Sequence, residues 1–196
     1  FCNEPLNYVL NTDLNRRCDF NNIFVEQAKN ILKDDRVSYK KQPLITNGKQ
    51  TAGNFFALEG AGKDEIEAII RSEIENYRTH FKGSVEGLIS SWPSSYSLNG
   101  WLVRMKSGGK LSAHMHENGW LSGSVYISVP PKQTPDSGNL VVCIDDAEYE
   151  VRGSEQSIID VVTGSLCLFP ASLLHYTIPF ASHEDRIVLA FDVVPN

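Results

Sequence analysis

The chain has 196 residues, 41% of them apolar and 21% charged, and its 24 acidic and 18 basic residues give a formal net charge of −6. This composition excludes a disordered chain and a disulfide scaffold, and the length allows a single domain, 1–196, with its own core. No run of Lys or Arg exceeds two residues. Nucleic acid is therefore not an expected partner, because phosphate binding needs clustered cations.

The cysteines and the apolar segments bear on the cellular location of the protein. The longest nearly apolar stretch, Ser165 to Leu174, is shorter than the ~20 residues that span a bilayer, so no membrane partner is expected. The chain begins at Phe1 without a signal-peptide pattern, and we expect it to be part of a longer protein. The four cysteines lack the spacing of a zinc ribbon or a redox dithiol and predict reduced, buried thiols in a cytoplasmic protein: Cys2, Cys18, Cys143 and Cys167.

The sequence pattern predicts that residues 1–90 form a helical or mixed N-terminal part of the domain. From Lys63 to Arg78, isoleucines recur at helical spacing between acidic residues, which is typical of an amphipathic surface helix. A second helix is predicted from Asn22 to Lys33, with Asn21 or Asn22 as its cap. We expect both helices to pack on a sheet formed by later residues.

After Gly87 the hydrophobic period changes from 3.6 to 2, which predicts strands. Gly100 to Lys106 is the first strand, Ser107 to Gly109 predicts a hairpin turn, and Leu111 to His116 resumes the extended pattern. Evenly spaced short strands of this kind predict a mainly β fold, a sandwich, jelly roll or small barrel, over 98–196. Six further strands are predicted: Leu121–Val129, Leu140–Ile144, Ser157–Val162, Ser165–Phe169, Leu174–Ile178 and Arg186–Val194.

Three histidines form a candidate metal site. In a strand, His114 and His116 project from the same side and can close on one ion. Because such a pair also arises by chance among five histidines, its setting matters. A later strand, turn and strand, from Gly164 onward, ends in His175, and an antiparallel sandwich can bring that ring beside the pair. The alternative for His175 is a hydrogen-bonded core histidine.

A candidate anion site follows on the last strand. Arg186 shares one strand face with Val188 and Ala190, and a buried guanidinium needs an anion. That anion is either a protein carboxylate or the carboxylate of a ligand. Tyr126 shares a face with Ser122 on its own strand and could offer a hydroxyl, although a packing tyrosine is an equal alternative.

These residues resemble the 2-oxoglutarate- and Fe(II)-dependent oxygenases, whose fold is a double-stranded β-helix of the cupin-like, jelly-roll kind. The resemblance covers about half of the chain, Gly100 to Pro195. Its segments HMHENGWLSGSVYI and LFPASLLHYTIP look like a branch found in bacterial and phage genomes. It implies a dioxygenase, an oxidoreductase that couples oxidative decarboxylation of 2-oxoglutarate with O2 to C–H oxidation. The substrate would be an unidentified small molecule or protein side chain.

The resemblance also implies roles for individual residues. His114, His116 and His175 would be the catalytic metal ligands and hold Fe(II). The cosubstrate would bind at Arg186, which pairs with its distal carboxylate, with help from Tyr126 and Ser122.

One position departs from the family pattern. Most members use two histidines and one carboxylate, and here His116 stands at the carboxylate position. Glu117 is adjacent but faces the other way in a regular strand, so that only a bulge would turn it inward. Three imidazoles also suit Zn, Cu and Ni, which leaves the identity of the metal open.

Two alternatives share these strands. Small metal-binding cupins have similar glycine and histidine spacings, but they place a glutamate ligand where this chain has Trp120 and Leu121, and they give Arg186 no role. A metal-free β-domain that binds a partner is the other alternative. We also expect several residues to border the mouth of the site: Trp101, Arg104, Lys106, Trp120 and the loop Pro130–Gly138.

Overall fold

The structure is a computed structural model that describes residues 1–58, 62–144 and 155–196. Its helices are α1 (Glu26–Lys33), α2 (Lys63–His80) and α3 (Gly87–Ser90). Its strands are β1 (Leu10–Asp13), β2 (Tyr39–Lys40), β3 (Ile45–Thr51), β4 (Tyr96–Leu111), β5 (Leu121–Ser128), β6 (Leu140–Cys143), β7 (Gln156–Ile159), β8 (Ser165–Pro170), β9 (Leu174–Thr177) and β10 (Arg186–Pro195). Within the described ranges, no helix combines the length and the hydropathy needed to cross a membrane.

The strands form two antiparallel sheets. The larger sheet has seven strands in the order β1-β8-β5-β10-β4-β3-β2, and the smaller has the order β7-β6-β9. Every paired strand in both sheets runs antiparallel to its neighbour. This is the predicted mainly β, jelly-roll architecture with helices packed on it, and the prediction is confirmed.

The large sheet has one face toward the helices and one toward the small sheet. On β10, Leu189 and Phe191 join a core that contains Ile70 of α2. Val188, which points the opposite way, joins a second core with Val142 of the small sheet. The alternation of strand side chains thus supplies both cores, and the space between the sheets holds the candidate site.

The two predicted helices exist, with one change at an N-terminus. The longer one is α2, as expected. The other begins with a π-helical turn, Asn21–Val25, that continues into α1. The prediction of Asn21 or Asn22 as the cap is wrong, since Asp19 Oδ1 instead accepts from the Asn22 backbone N–H at 3.3 Å.

The first 90 residues also supply strands that the sequence pattern did not predict. Strand β1 pairs with β8, and β2 and β3 extend the sheet beyond β4. These strands are short or polar, so the alternation of apolar residues is too weak to indicate them. The division at residue 90 and the single-domain organisation stay predictions.

The glycine-rich segment is a bulge and not the predicted hairpin turn. Strand β4 runs without interruption through it. Thr46 pairs with Lys110 and Gly48 pairs with Met105, so that the β4 residues between them oppose a single residue of β3. Gly108 has φ 74°, a conformation that glycine adopts without strain. The extended segment predicted from 111 to 116 is observed only in part, because β4 ends at Leu111 and His114 then forms a single antiparallel bridge with His175.

Candidate metal and cosubstrate site

Two of the histidines are joined through their backbones. The His114 N–H donates to the His175 carbonyl at 3.2 Å, and the His175 N–H donates to the His114 carbonyl at 2.9 Å. This isolated antiparallel bridge links the chain just after β4 to strand β9. It holds the two ring centroids 4.2 Å apart, although the residues lie far apart in the sequence.

The third histidine closes the cluster. The His116 N–H donates to the Ala171 carbonyl at 3.1 Å, and the His116 ring centroid lies 5.1 Å from that of His114 and 5.0 Å from that of His175. One ligand atom from each ring lies within 4.8 Å of the others. The ring of His175 therefore lies on the same side as the pair, as the sequence analysis required.

In each of the three rings, Nδ1 lies within hydrogen-bond distance of an oxygen atom. Nδ1 of His114 lies 2.9 Å from the Ser112 carbonyl, and Nδ1 of His175 lies 3.3 Å from the Leu173 carbonyl. Nδ1 of His116 lies 2.5 Å from Asp192 Oδ1. When Nδ1 carries the hydrogen, the Nε2 lone pair is left for a metal, and such outer hydrogen bonds are the usual support of metal-binding histidines.

Burial keeps two of these rings neutral. It lowers the pKa of His175 well below the ordinary value, and the neighbouring rings of His114 and His116 lower that pKa further. Burial also lowers the pKa of His114, with a smaller lowering from His116. Neutral imidazole is the form that binds metal, so these rings need not lose a proton to hold a cation at neutral pH.

Asp192 is the residue of the site that sequence analysis missed. It is 7% exposed, and its Oδ1 accepts from His116 Nδ1 and from Ser122 Oγ, the latter at 2.8 Å. Asp192 has the same strand parity as Arg186 and Ala190, so the alternation already predicted on β10 would have placed it in the site. A carboxylate on a buried strand face was the available signal.

Arg186 is buried without a carboxylate partner in the described ranges. It is 3% exposed, and its Nε has no hydrogen-bond partner. Its side chain contacts Met105 and Tyr126: Nη1 lies 4.0 Å from Met105 Sδ, and the guanidinium carbon lies 5.1 Å from the centroid of the Tyr126 ring, with a hydrogen bond between the two side chains. Burial lowers the pKa of Arg186. Of the two predicted sources of an anion, a protein carboxylate is not observed among the residues described.

Of the other two predicted cosubstrate residues, Tyr126 lies beside Arg186 and Ser122 lies beside Asp192. Tyr126 is 1% exposed, and burial raises the pKa of its hydroxyl, which keeps the phenol protonated. Ser122 lines the same cavity, but its hydroxyl donates to Asp192. Ser122 is thus committed to a neighbour of the metal cluster, and its role toward a cosubstrate stays a prediction.

One cavity of about 680 Å³ contains both groups, the three imidazoles and the guanidinium. Toward its mouth lie Trp101, whose ring centroid is 5.7 Å from that of His116, and the exposed side chains of Lys40 and Met115. A cavity that contains both a candidate metal-binding cluster and a guanidinium without a carboxylate partner among the described residues can hold a small anion.

Some predicted site residues lie elsewhere. Arg104 points to the outer face of β4 and pairs with Asp185, because it alternates with Trp101 and Met105. Trp120 donates its Nε1–H to the Leu88 carbonyl and packs against the helix-side core. Glu117 is exposed and is absent from the histidine cluster, so the bulge that would turn it inward is not observed.

Comparison with known proteins gives a family. Residues 99–192 match the sequence profile of the family described as "Putative 2OG-Fe(II) oxygenase". This range begins on β4 and ends on β10, and it therefore includes the three histidines and Arg186. No curated protein sequence matches the chain.

Solved structures show the same fold. A prolyl-4-hydroxylase from Pseudomonas putida aligns with a TM-score of 0.62 and 10% identity over 96% of this chain and 92% of that one. HygX from Streptomyces hygroscopicus, with nickel and 2-oxoglutarate bound, has a TM-score of 0.61 and 15% identity, covering 100% of this chain and 88% of that one.

A prolyl hydroxylase from Trichoplax adhaerens, in complex with a hypoxia inducible factor oxygen degradation domain peptide fragment, has a TM-score of 0.65. It shares 13% identity over 97% of this chain and 85% of that one. At these identities the likeness concerns the fold. The profile match adds the family over residues 99–192: this part of the chain matches the 2-oxoglutarate/Fe(II)-dependent oxygenases, oxidoreductases that use Fe(II), 2-oxoglutarate and O2.

Proposed function

We propose that His114, His116 and His175 hold Fe(II), that Arg186 binds the distal carboxylate of 2-oxoglutarate, and that the protein hydroxylates a C–H bond. The observation that carries the proposal is the buried guanidinium of Arg186, whose Nε has no hydrogen-bond partner among the described residues and which lines the same cavity as the three imidazoles. A desolvated cation without a counterion is costly, and a ligand carboxylate would remove that cost.

The residues present fit both groups. Imidazole is a suitable ligand for iron, and the three Nε2 atoms are left free by the hydrogen bonds at Nδ1. The planar guanidinium of Arg186 can bind a carboxylate through two parallel hydrogen bonds, and the Tyr126 hydroxyl lies in the same lining. When bound, Fe(II) and 2-oxoglutarate would supply the electrons that activate O2, and O2 would be the oxidant.

The protein's own part is orientation and exclusion of water. Arg186 and the imidazoles line the same cavity, and together they would orient a bound dicarboxylate. The apolar lining from Val188 and Phe169 keeps water from competing for the guanidinium. Because Tyr126 stays protonated, it can donate a hydrogen bond to a carboxylate that Arg186 already binds.

The substrate is proposed as a small molecule or a protein side chain. The mouth of the cavity offers Trp101 as a flat apolar wall and Lys40 as a cation, and the net charge of −6 does not favour nucleic acid. HygX has a structure with hygromycin B bound, and the Trichoplax enzyme has one with a peptide. A cytoplasmic location stays a prediction.

The test is anaerobic titration of 2-oxoglutarate into Fe(II)-loaded protein, followed by the visible charge-transfer absorption and by calorimetry. We expect the band in the wild type. In Arg186→Met we expect an affinity lower by about 2–5 kcal/mol, the usual cost of truncating one partner of a buried charge pair, with metal binding retained.

Arg104→Met is the matched control, since it removes an exposed arginine outside the cavity. Metal binding without any affinity for 2-oxoglutarate would instead favour the cupin-type enzyme, and a wild type that retains no metal would favour the metal-free binding domain. Equal 2-oxoglutarate affinity in wild type and Arg186→Met would contradict the role of Arg186.

A further inference from the structure

The outer support of His116 differs in charge from that of the other two rings. His114 and His175 face neutral backbone carbonyls, whereas His116 Nδ1 lies 2.5 Å from the carboxylate of Asp192. In the described ranges, no lysine or arginine forms an ion pair with Asp192. Arg186 lies on the same strand face but is not its partner. The charge of this buried carboxylate is therefore directed at His116.

The carboxylate is held rigidly. Asp192 of β10 pairs directly with Ser122 of β5 in the ladder, and Ser122 Oγ donates to the same Oδ1 at 2.8 Å. The segment before β5 passes close to Asp192 at Gly119, where an added Cβ would lie 2.8 Å from Ala171 Cβ and 3.5 Å from Asp192 Cγ. The close approach of these segments fixes the geometry between ring and carboxylate.

The charge of the three-histidine cluster suggests a role for the hydrogen bond between His116 and Asp192. Non-haem Fe(II) sites that bind a cosubstrate commonly combine two histidines with one carboxylate. No carboxylate of the described residues joins the cluster of three imidazoles, so the first ligand shell is neutral. A carboxylate that accepts from Nδ1 of a bound histidine raises the basicity of that ligand and fixes its orientation.

We propose that Asp192 is a positioning residue that supplies, through His116, the negative charge that the ligand set itself lacks. It fixes the tautomer of His116 with Nε2 toward the metal and makes this ring the strongest donor of the three. The inference rests on the proposed function, because it requires that the cluster hold a cation.

The test compares the affinity of metal-free variants for Co(II), a probe that is stable in air and reports its ligand geometry by visible absorption. Asp192→Asn keeps the shape and an acceptor oxygen but removes the charge. We expect its dissociation constant for Co(II) to rise about 10- to 100-fold, the usual effect of losing an outer-shell partner. The d–d absorption should shift as the donor strength of His116 falls.

Glu117→Gln is the matched control, because it removes the same charge one residue from His116 on an exposed side chain; its Co(II) affinity should equal that of the wild type. Ser122→Ala leaves the charge and removes one hydrogen bond to it, so a smaller loss is expected. Asp192→Glu should recover part of the affinity that Asp192→Asn loses, which a purely structural role would not produce.

Circular dichroism of the metal-free proteins separates folding from binding. If Asp192→Asn does not fold, the Co(II) affinities of Ser122→Ala and Asp192→Glu test the inference in its place. Both should be lower than that of the wild type, and wild-type affinity in both would contradict the inference. Wild-type Co(II) affinity and spectrum in a folded Asp192→Asn would overturn it while leaving the proposed function intact. A wild type that binds no Co(II) would instead overturn both.

Discussion

Strand β10 exposes its two faces to different surroundings. One face carries Leu189, Phe191 and Val193 into the core beneath the helices, where all three are fully buried. The other carries Arg186 and Asp192 into the cavity between the sheets, at 3% and 7% exposure. The burial is nearly equal, but the three apolar side chains gain free energy from it whereas Arg186 and Asp192 do not, since burial of apolar surface stabilises and burial of charge costs.

The comparison indicates how the site is supported. Burial of apolar side chains on the helix-side face stabilises the strand, and this offsets the cost of burying Arg186 and Asp192 on the cavity-side face. Phe191 illustrates the dependence: its ring fits against Gly123, where an added Cβ would lie 2.1 Å from Cζ, and it meets Phe56 at a centroid distance of 6.3 Å. The strand is thereby fixed in the register that aims Arg186 and Asp192 inward.

The largest expected effect on stability comes from the helix-side face. Phe191→Ala removes a fully buried ring and leaves a cavity, so we expect the free energy of unfolding to fall by about 3–5 kcal/mol. Urea denaturation of the metal-free protein measures it. A loss below about 1 kcal/mol would mean that the core on this face repacks, and that the contrast between the two faces is smaller than proposed.

A change of opposite sign is expected on the cavity-side face. Arg186→Met replaces a buried guanidinium, which has no carboxylate partner in the described part of the chain, with an apolar side chain beside Met105 and Tyr126, so the metal-free protein should gain about 1–3 kcal/mol in unfolding free energy. Addition of Fe(II) and 2-oxoglutarate should stabilise the wild type by linkage and the variant much less. Destabilisation of the metal-free variant would show that Arg186 already has a counterion.

A third effect concerns pH. Burial lowers the pKa of both His175 and His114 in the folded protein, relative to about 6.5 in the unfolded chain. Below that pH the unfolded chain binds protons that the native state does not. The unfolding free energy should therefore fall with decreasing pH, by up to about 1.4 kcal/mol per pH unit for each ring.

Urea denaturation of the metal-free protein between pH 7.5 and 5 measures this slope. Replacement of the exposed His80 by Gln should leave the slope unchanged, and replacement of the buried His175 by Gln should reduce it. An equal slope in wild type and His175→Gln would contradict the assignment to the buried ring.

Much of this molecule follows from local patterns. The period of two predicted the strands from Leu121 to Val194 within a few residues, and the period of 3.6 predicted α2, because each pattern reports which face of an element is buried. The same alternation correctly placed Arg186 with Val188 and Ala190. The strands β1 to β3 were missed, since their pairing depends on partners far away in the chain and not on their own polarity.

What the sequence determined by itself is therefore the set of side chains available on each strand face: a His-x-His pair, a histidine closing a later strand, and a guanidinium on an apolar strand. Tertiary structure alone decided which of them meet. The backbone bridge between His114 and His175 and the bond from His116 to Asp192 each depend on strand pairing between distant residues, and so does the lack of a carboxylate at Arg186 among the residues that the structure describes. Side-chain direction is a local property of the backbone, whereas proximity across sheets is set by packing of the whole chain.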